Sequence, residues 1–173
     1  MSIPAGTAPP HLDSGTVPAA VLRATMRLHA AGVAVITTCD GGPVGFCATS
    51  LTSVSLEPPI VSFAVMPEST SGRAWRGADY GIVHLLRQDQ TAVAAAFARS
   101  GRDKFAGVGW RWGPQNQPLL DSVLAWMLVS TRERLVVGDH LLVICNVRMA
   151  STAPGAGPLI RHDGAFHALP AVP

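Results

Sequence analysis

A predicted β-hairpin is the feature that most constrains the fold of this chain. Residues 33–38 (Val-Ala-Val-Ile-Thr-Thr) are rich in β-branched side chains, which favour extended strands. Asp40-Gly41-Gly42 supplies turn residues, and residues 43–48 then form the returning strand. Further short apolar runs occupy residues 60–66, 81–86, 122–135, 140–149 and 159–169, and we expect the last to bend at 162–164. Many short strands separated by Gly and Pro predict a mainly β fold, either a barrel or a Greek-key sheet.

Only a few helices are expected around this sheet. Residues 17–30 place apolar side chains among Arg23, Arg27 and His29, a pattern typical of a short amphipathic helix. A second short helix is expected near residues 73–77 and a third over residues 90–100. Residues 1–17 are rich in Pro, Gly, Ser and Thr, so we expect a flexible N-terminal arm. The remaining residues, 18–173, are predicted to form one domain.

The composition limits the partners of this chain. Charged residues make up 14% of it, against about 25% in ordinary soluble domains. No apolar run approaches the ~20 residues that cross a bilayer, so the spare apolar surface predicts a homo-oligomer rather than a membrane protein. The net charge is +2 and the arginines are scattered, so the sequence has no basic stripe for nucleic acid.

Cysteine and histidine usage points to a reducing compartment without a metal site. Cys39, Cys47 and Cys145 are odd in number and lack CxxC spacing, which favours free thiols and a cytoplasmic location. The N-terminal residues show no positive segment followed by an apolar one, so we expect no export. His162 and His167 flank a turn without the spacing of metal ligands, so no metal is expected.

Hydroxyl side chains are concentrated in residues 48–59, immediately before an apolar strand. Five of them fall within seven residues: Thr49, Ser50, Thr52, Ser53 and Ser55. Such a cluster offers hydrogen-bond donors that can hold a phosphate or the edge of a heterocycle without adding charge. The alternative is a Ser/Thr-rich β-meander that binds nothing, because these residues also favour turns and strand edges.

A set of collinear motifs over residues 20–168 resembles the short-chain flavin reductases that serve two-component monooxygenases. Each motif is short, and the resemblance rests on their order and spacing. They are residues 22–27, residues 32–38, the hydroxyl segment 45–59, Ser69-Thr70-Ser71, Lys104-Phe105, residues 118–120 and 124–126, and Gly138-Asp139-His140.

The resemblance implies a six-stranded split β-barrel with Greek-key connections, normally a homodimer. It implies FMN or FAD as the flavin, NADH or NADPH as the hydride donor, and a separate monooxygenase that receives reduced flavin. His140 is then the catalytic-site residue that faces the nicotinamide. The implied flavin contacts are Thr49, Ser50, Thr52, Ser53, Val54, Ser55, Ser69, Ser71, Lys104, Phe105 and His140.

Several individual residues have a second interpretation. Lys104 is the only lysine, and it is either a ligand contact or a solvated loop charge. Phe105 either packs on the flavin or anchors its loop, and His140 without its motif is an ordinary surface histidine. Asp139 either orients His140 or belongs to the turn after Gly138.

The chain also departs from the family pattern. His84 stands where the family usually has Asn, Cys47 where Thr is common, and Cys145-Asn146 where Gly-Glu is usual. His84 is expected to be a buried or interface residue rather than a catalyst. These departures favour one alternative to a reductase, a non-catalytic flavin-binding module. Two others also stay open: a split-barrel oxidoreductase that keeps its flavin and acts on an organic substrate, and a structural partner that stabilises a monooxygenase without binding flavin.

Overall fold

A computed structural model describes residues 16–101, 103–153 and 155–169. Its secondary structure confirms the prediction of a mainly β chain with few helices. The helices are α1 (Ala19–Arg27), α2 (Thr70–Trp75) and α3 (Thr91–Ala98). The strands are β1 (Ala31–Gly32), β2 (Ala34–Cys39), β3 (Pro43–Ala48), β4 (Thr52–Leu56), β5 (Pro59–Val65), β6 (Tyr80–Leu85), β7 (Trp110–Trp112), β8 (Pro118–Leu120), β9 (Ala125–Val137), β10 (His140–Thr152), β11 (Leu159–His162) and β12 (Ala165–Ala168).

The expected N-terminal arm, residues 1–17, lies outside the described residues except for its last two positions. Within the described ranges, no helix is both long and apolar enough to cross a membrane.

The main sheet has the strand order β3-β2-β6-β9-β10-β5-β4, and every pairing in it is antiparallel. The predicted hairpin is present as β2 and β3, with Ala34 opposite Ala48 and Cys39 opposite Pro43. The sheet has seven strands where the resemblance implied six, because the hydroxyl-rich segment 52–56 itself pairs along β5. β5 pairs with β10 rather than with the next long strand, β6, a non-local arrangement of the kind found in Greek keys.

The sheet curls until β3, at one edge, meets β5 beside the other edge. No backbone ladder joins these two strands in the described part of the chain. Side chains close the gap instead, with the Phe46 and Phe63 ring centroids 6.0 Å apart. The Ser50 hydroxyl accepts a hydrogen bond from the Ala64 N–H (3.0 Å) and donates one to the Ala64 carbonyl (3.2 Å). The barrel is therefore split along this line.

The two largest of three buried apolar clusters hold the sheet in this shape. One fills the interior of the barrel and contains Ile36, Phe63 and Trp75, all fully buried. The other lies outside the sheet, where Val35 packs with Phe97 of α3. β2 is covered on both of its faces, which explains why residues 33–38 form a continuous apolar run rather than an alternating one.

The C-terminal segment corrects one prediction. Residues 159–169 form a hairpin, β11 and β12, rather than one bent strand. Asp163 and Gly164 have φ values of 46° and 79°, as a two-residue Asp-Gly turn requires. The hairpin pairs with β1, with Arg161 opposite Ala31, so a three-stranded sheet forms beside the main one.

Helix α1 has no buried residue. It is attached through Arg27, whose Nε donates to Asp163 Oδ1 (3.0 Å) and whose carbonyl accepts from the Asp163 N–H (2.8 Å). Leu22 and Met26 remain more than half exposed. The apolar side of α1 therefore has no partner within the described chain. An isolated helix of this length is only marginally stable in water, so α1 needs a further surface to pack against.

His84 is fully buried on β6, as expected for a structural residue. Its Nδ1–H donates to the Val35 carbonyl (2.9 Å), and its Nε2 accepts from the Leu120 N–H (3.1 Å). A neutral imidazole satisfies both bonds, whereas protonation would leave a buried charge and a donor facing another donor. Burial lowers the pKa of His84 to about 4, against the slight opposing effect of the bond to Val35.

This buried histidine predicts a loss of stability in mild acid. The unfolded chain takes up a proton near the ordinary histidine pKa of about 6.5, whereas folded His84 resists protonation down to about pH 4. Stability from this residue is thus complete above the unfolded pKa and falls as the pH drops below it. We expect the free energy of unfolding to fall by about 2 kcal/mol between pH 7 and pH 5 from His84 alone.

Urea unfolding of wild type and His84→Asn at both pH values measures this effect. The variant should be less stable at pH 7 but should lose less on acidification. His29→Asn, which changes an exposed histidine on the same chain, is the matched control and should keep the wild-type slope. An unchanged slope in His84→Asn would contradict the assignment.

Candidate functional site

A cavity of about 720 Å³ opens at the split of the barrel. The end of β3, the end of β5, the start of α2, the end of α3 and the start of β10 all contribute to it. A cavity of this size lies within the range of small-molecule and cofactor sites. It is lined by residues 46–50, 64–66, 68–71 and 97–101, with Arg73, Lys104 and His140.

One wall of the cavity is fixed by the turn into α2. The Ser69 hydroxyl accepts from the Gly72 N–H (2.9 Å) and donates to the Met66 carbonyl (2.7 Å), which caps the helix. A Cβ on Gly72 would lie 2.0 Å from the Met66 carbonyl oxygen, so only glycine permits this approach. Ser71 is buried, and its hydroxyl donates to the Gly45 carbonyl of β3 (2.9 Å). These bonds join α2 to both sides of the split.

The hydroxyl groups around the cavity fall into two classes. Those of Ser50, Ser69 and Ser71 are committed to backbone partners inside the protein. Those of Thr49, Thr70 and Ser100 form no hydrogen bond with any residue that the structure describes. These three lining hydroxyls therefore remain available to a ligand.

The cavity carries a positive charge. Arg73, Arg99 and Lys104 line it, and Glu68 is the only carboxylate on its described lining. Glu68 is itself paired with Arg76. Lys104 is half-buried and donates to the Phe97 carbonyl (3.3 Å), and burial lowers the pKa of its ammonium group. A phosphate is the kind of group that this arrangement of cations and hydroxyls suits.

His140 is held by its neighbour at the start of β10. Its Nδ1 lies 2.7 Å from Asp139 Oδ1, and a carboxylate can only accept, so Nδ1 carries the proton. The hydrogen bond from His140 lowers the pKa of Asp139, which keeps this carboxylate ionised. The ring is thereby oriented, and Nε2 is left for another partner.

The structure brings together part of the predicted contact set. Thr49, Ser50, Ser69, Ser71, Lys104 and His140 all line the cavity. Phe105 does not, because it is buried with its ring centroid 4.9 Å from that of Phe97 and 5.2 Å from that of Trp110. Its contacts favour the loop-anchor interpretation. Thr52, Ser53, Val54 and Ser55 lie on β4, at the edge of the sheet and outside this lining.

Sequence reasoning did not select several lining residues. Thr70 sits between the two serines that were selected, and only the capping geometry shows that its hydroxyl is the uncommitted one. Arg73 follows one turn later on the same helix, a spacing that a search for cations after the hydroxyl run would have found. Cys47 and Arg99 carry no such signal, because packing alone brings them to the cavity.

Apolar side chains complete the cavity, including Phe46, Val65 and Phe97. A ligand with a flat apolar ring system and a phosphate fits such walls, because ring burial supplies affinity and the few polar groups fix orientation. FMN and the flavin half of FAD have this chemistry, so the residues present fit a flavin.

Comparison with known proteins agrees with this geometry. Residues 26–170 match the flavin reductase like domain family. An NADH:FMN oxidoreductase of Rhodococcus qingshengii is 40% identical over 171 residues, which cover 95% of this chain and 88% of that protein. The reductase subunit HsaB of a flavin-dependent monooxygenase from Rhodococcus jostii (strain RHA1) is 33% identical over 145 residues, or 83% of this chain and 74% of that one.

A solved structure shares the fold. The NADH:FAD oxidoreductase SgcE6 of Streptomyces globisporus C-1027, in complex with NAD and FAD fragments, superposes with a TM-score of 0.82 at 27% identity, over 86% of this chain and 91% of that one. The family match spans most of the chain, and the first of these relatives covers nearly all of it. This chain therefore belongs to the flavin reductase like domain family.

Proposed function

We propose that this protein is an NAD(P)H-dependent flavin reductase that transfers a hydride to FMN or FAD and releases the reduced flavin to a separate monooxygenase. One observation carries the proposal: a single cavity joins apolar walls, uncommitted hydroxyls and three cations to the oriented His140. Relatives named as an NADH:FMN oxidoreductase and as the reductase subunit of a flavin-dependent monooxygenase support the same reaction and the same kind of partner.

The bound flavin supplies the hydride acceptor, and the dihydronicotinamide supplies the hydride. The protein's task is to hold the two rings in contact and to exclude water. Thr49 and Lys104 face the cavity and hold the flavin directly, together with Thr70, Arg73 and Arg99. Ser50, Ser69 and Ser71 act mainly by fixing the backbone that surrounds it, because their hydroxyls are already bonded.

The geometry favours a flavin that is released. Lys104 is only half-buried, and the Arg73 and Arg99 side chains are exposed at the rim, so no buried cation clamps the phosphate. Exposed charge pairs contribute little affinity in water. Such a site suits a diffusible flavin better than the alternative of a tightly retained one.

His140 positions the nicotinamide in this proposal. Asp139 fixes the ring through Nδ1, which leaves Nε2 of this cavity-lining residue available to hydrogen bond with a carboxamide. Because the bound cofactors would supply both the donor and the acceptor of the hydride, His140 would orient the nicotinamide and would move no proton.

Purified protein with NADH and FMN tests the proposed reaction. We expect oxidation of the dihydronicotinamide, followed by its absorbance, to depend on added FMN or FAD. Flavin binding without any NADH or NADPH oxidation would overturn the reductase and favour the non-catalytic flavin-binding module. Retention of flavin through gel filtration, with turnover of an organic substrate, would favour the tightly bound alternative.

The role of His140 can be separated from flavin binding. We expect His140→Ala to raise the KM for NADH or slow flavin reduction about tenfold, since one hydrogen bond to the nicotinamide is lost. The Kd for FMN, measured by fluorescence quenching, should stay within about twofold of wild type. His167→Ala, a change at an exposed histidine on β12, is the matched control. If FMN binding weakened as much as the NADH kinetics did, His140 would have a structural role instead.

We also propose that the protein is a homodimer. The apolar side chains of α1 are exposed and α1 lacks a partner, as described above, and Val54 and Leu56 of the edge strand β4 are 55% and 88% exposed. A second copy that covers these surfaces would bring the hydroxyls of Thr52, Ser53 and Ser55 into a composite site. In that arrangement residues 52–55, with the loop around Phe105, contribute to the flavin site across the interface.

Sedimentation at micromolar concentration tests the dimer. We expect wild type to sediment as a dimer and Leu22→Lys/Met26→Lys to dissociate, because two charges would enter an apolar interface. Val136→Lys, at an even more exposed apolar position near the end of β9, is the control for added charge. A wild-type monomer would exclude the dimer, and a dimeric double variant would exclude α1 from its interface.

A further inference from the structure

A second cavity, of about 490 Å³, lies beside the first, because Thr49 and Ser50 line both. Its other walls come from α1 and from the β11–β12 hairpin. None of the flavin contacts proposed above requires it. It adjoins the flavin cavity through these two shared residues, so one elongated ligand can reach both cavities.

The second cavity is strongly cationic. Arg23, Arg27 and Arg161 line it, and Asp163 is the only carboxylate on its described lining. Arg27 and Asp163 neutralise each other at 3.0 Å. Arg23 and Arg161 form no ion pair with any carboxylate in the described ranges, so the formal excess is two positive charges, three arginines less one aspartate.

Flat and apolar side-chain surfaces beside these arginines suit a nucleotide base. Arg161 holds its guanidinium 5.2 Å from the ring centroid of Phe166, which presents it as a flat, oriented group. A guanidinium can bind a phosphate with two hydrogen bonds and can also stack on a heterocycle. Met26 and Ala31 add apolar lining. These features together match an adenosine phosphate better than an inorganic anion.

We propose that this second cavity binds the adenosine diphosphate half of a dinucleotide whose redox-active half occupies the flavin cavity. The inference rests on the function proposed above. FAD and NAD(P)H both carry this half, whereas FMN does not. Arg23 and Arg161 bind its phosphates, and the Thr49-Ser50 segment separates the two halves of the ligand.

Calorimetry with ADP as the probe tests the site without any turnover. Wild type should bind ADP, and Arg23→Gln/Arg161→Gln should bind it about tenfold more weakly, because charge-assisted bonds to phosphate are lost. Arg132→Gln, a change at an exposed arginine on β9 outside both cavities, is the matched control. Arg161→Lys keeps the charge but not the flat guanidinium. It should bind ADP more tightly than Arg161→Gln if Arg161 acts by binding phosphate rather than by packing on Phe166.

Two further comparisons identify which dinucleotide uses the site. If FAD is the ligand, the double variant raises the Kd for FAD about tenfold and leaves the Kd for FMN unchanged, both measured by fluorescence quenching. If the nicotinamide dinucleotide is the ligand, its KM with FMN as acceptor rises about tenfold and that of reduced nicotinamide mononucleotide does not. The inference would be overturned if wild type did not bind ADP, or if Arg132→Gln weakened ADP binding as much as the double variant does. It would also be overturned if the double variant weakened FMN binding and FAD binding equally. ADP binding without any NADH oxidation would overturn the reductase alone.

Discussion

The split between β3 and β5 is the constraint on which the rest of this structure depends. A closed barrel would pair these strands through their backbones along their whole length. Here Phe46 packs on Phe63, and the Ser50 hydroxyl takes both backbone groups of Ala64 in place of a ladder. These side chains close the barrel over its core. The cavity forms at the ends of β3 and β5, where the two strands remain apart.

The same closure decides which hydroxyls can serve a ligand. A hydroxyl that satisfies a buried or strained backbone group is costly to divert, since the group it leaves would be unpaired. Ser50, Ser69 and Ser71 are in this position, as their bonds to Ala64, Met66 and Gly45 show. Thr49 and Thr70 are the neighbours that such bonding leaves uncommitted. A hydroxyl-rich sequence therefore divides into groups that build the site and groups that face it.

Sequence reasoning was strongest where the pattern is local. The Val33–Thr38 run and its Asp-Gly-Gly turn predict the β2–β3 hairpin, because β-branched side chains and turn glycines act on their own neighbours. The same kind of signal at Asp163-Gly164 predicts the bend within residues 159–169, but not that the two halves pair as the separate strands β11 and β12. The cavity was only partly predictable. Arg99 and Cys47 reach it through the packing of α3 and β3, which no spacing in the sequence encodes.

The role of His84, at a position where the resemblance implied Asn, is best understood through its two hydrogen bonds. Either side chain offers both a donor and an acceptor, and here the imidazole joins the Val35 carbonyl of β2 to the Leu120 N–H of β8. It thus ties the return of the long loop, with its tryptophans, to the centre of the sheet. His84 lies outside the lining of both cavities described above, so this departure acts on the stability of the scaffold. Any effect on nucleotide choice must pass through the loop that His84 holds.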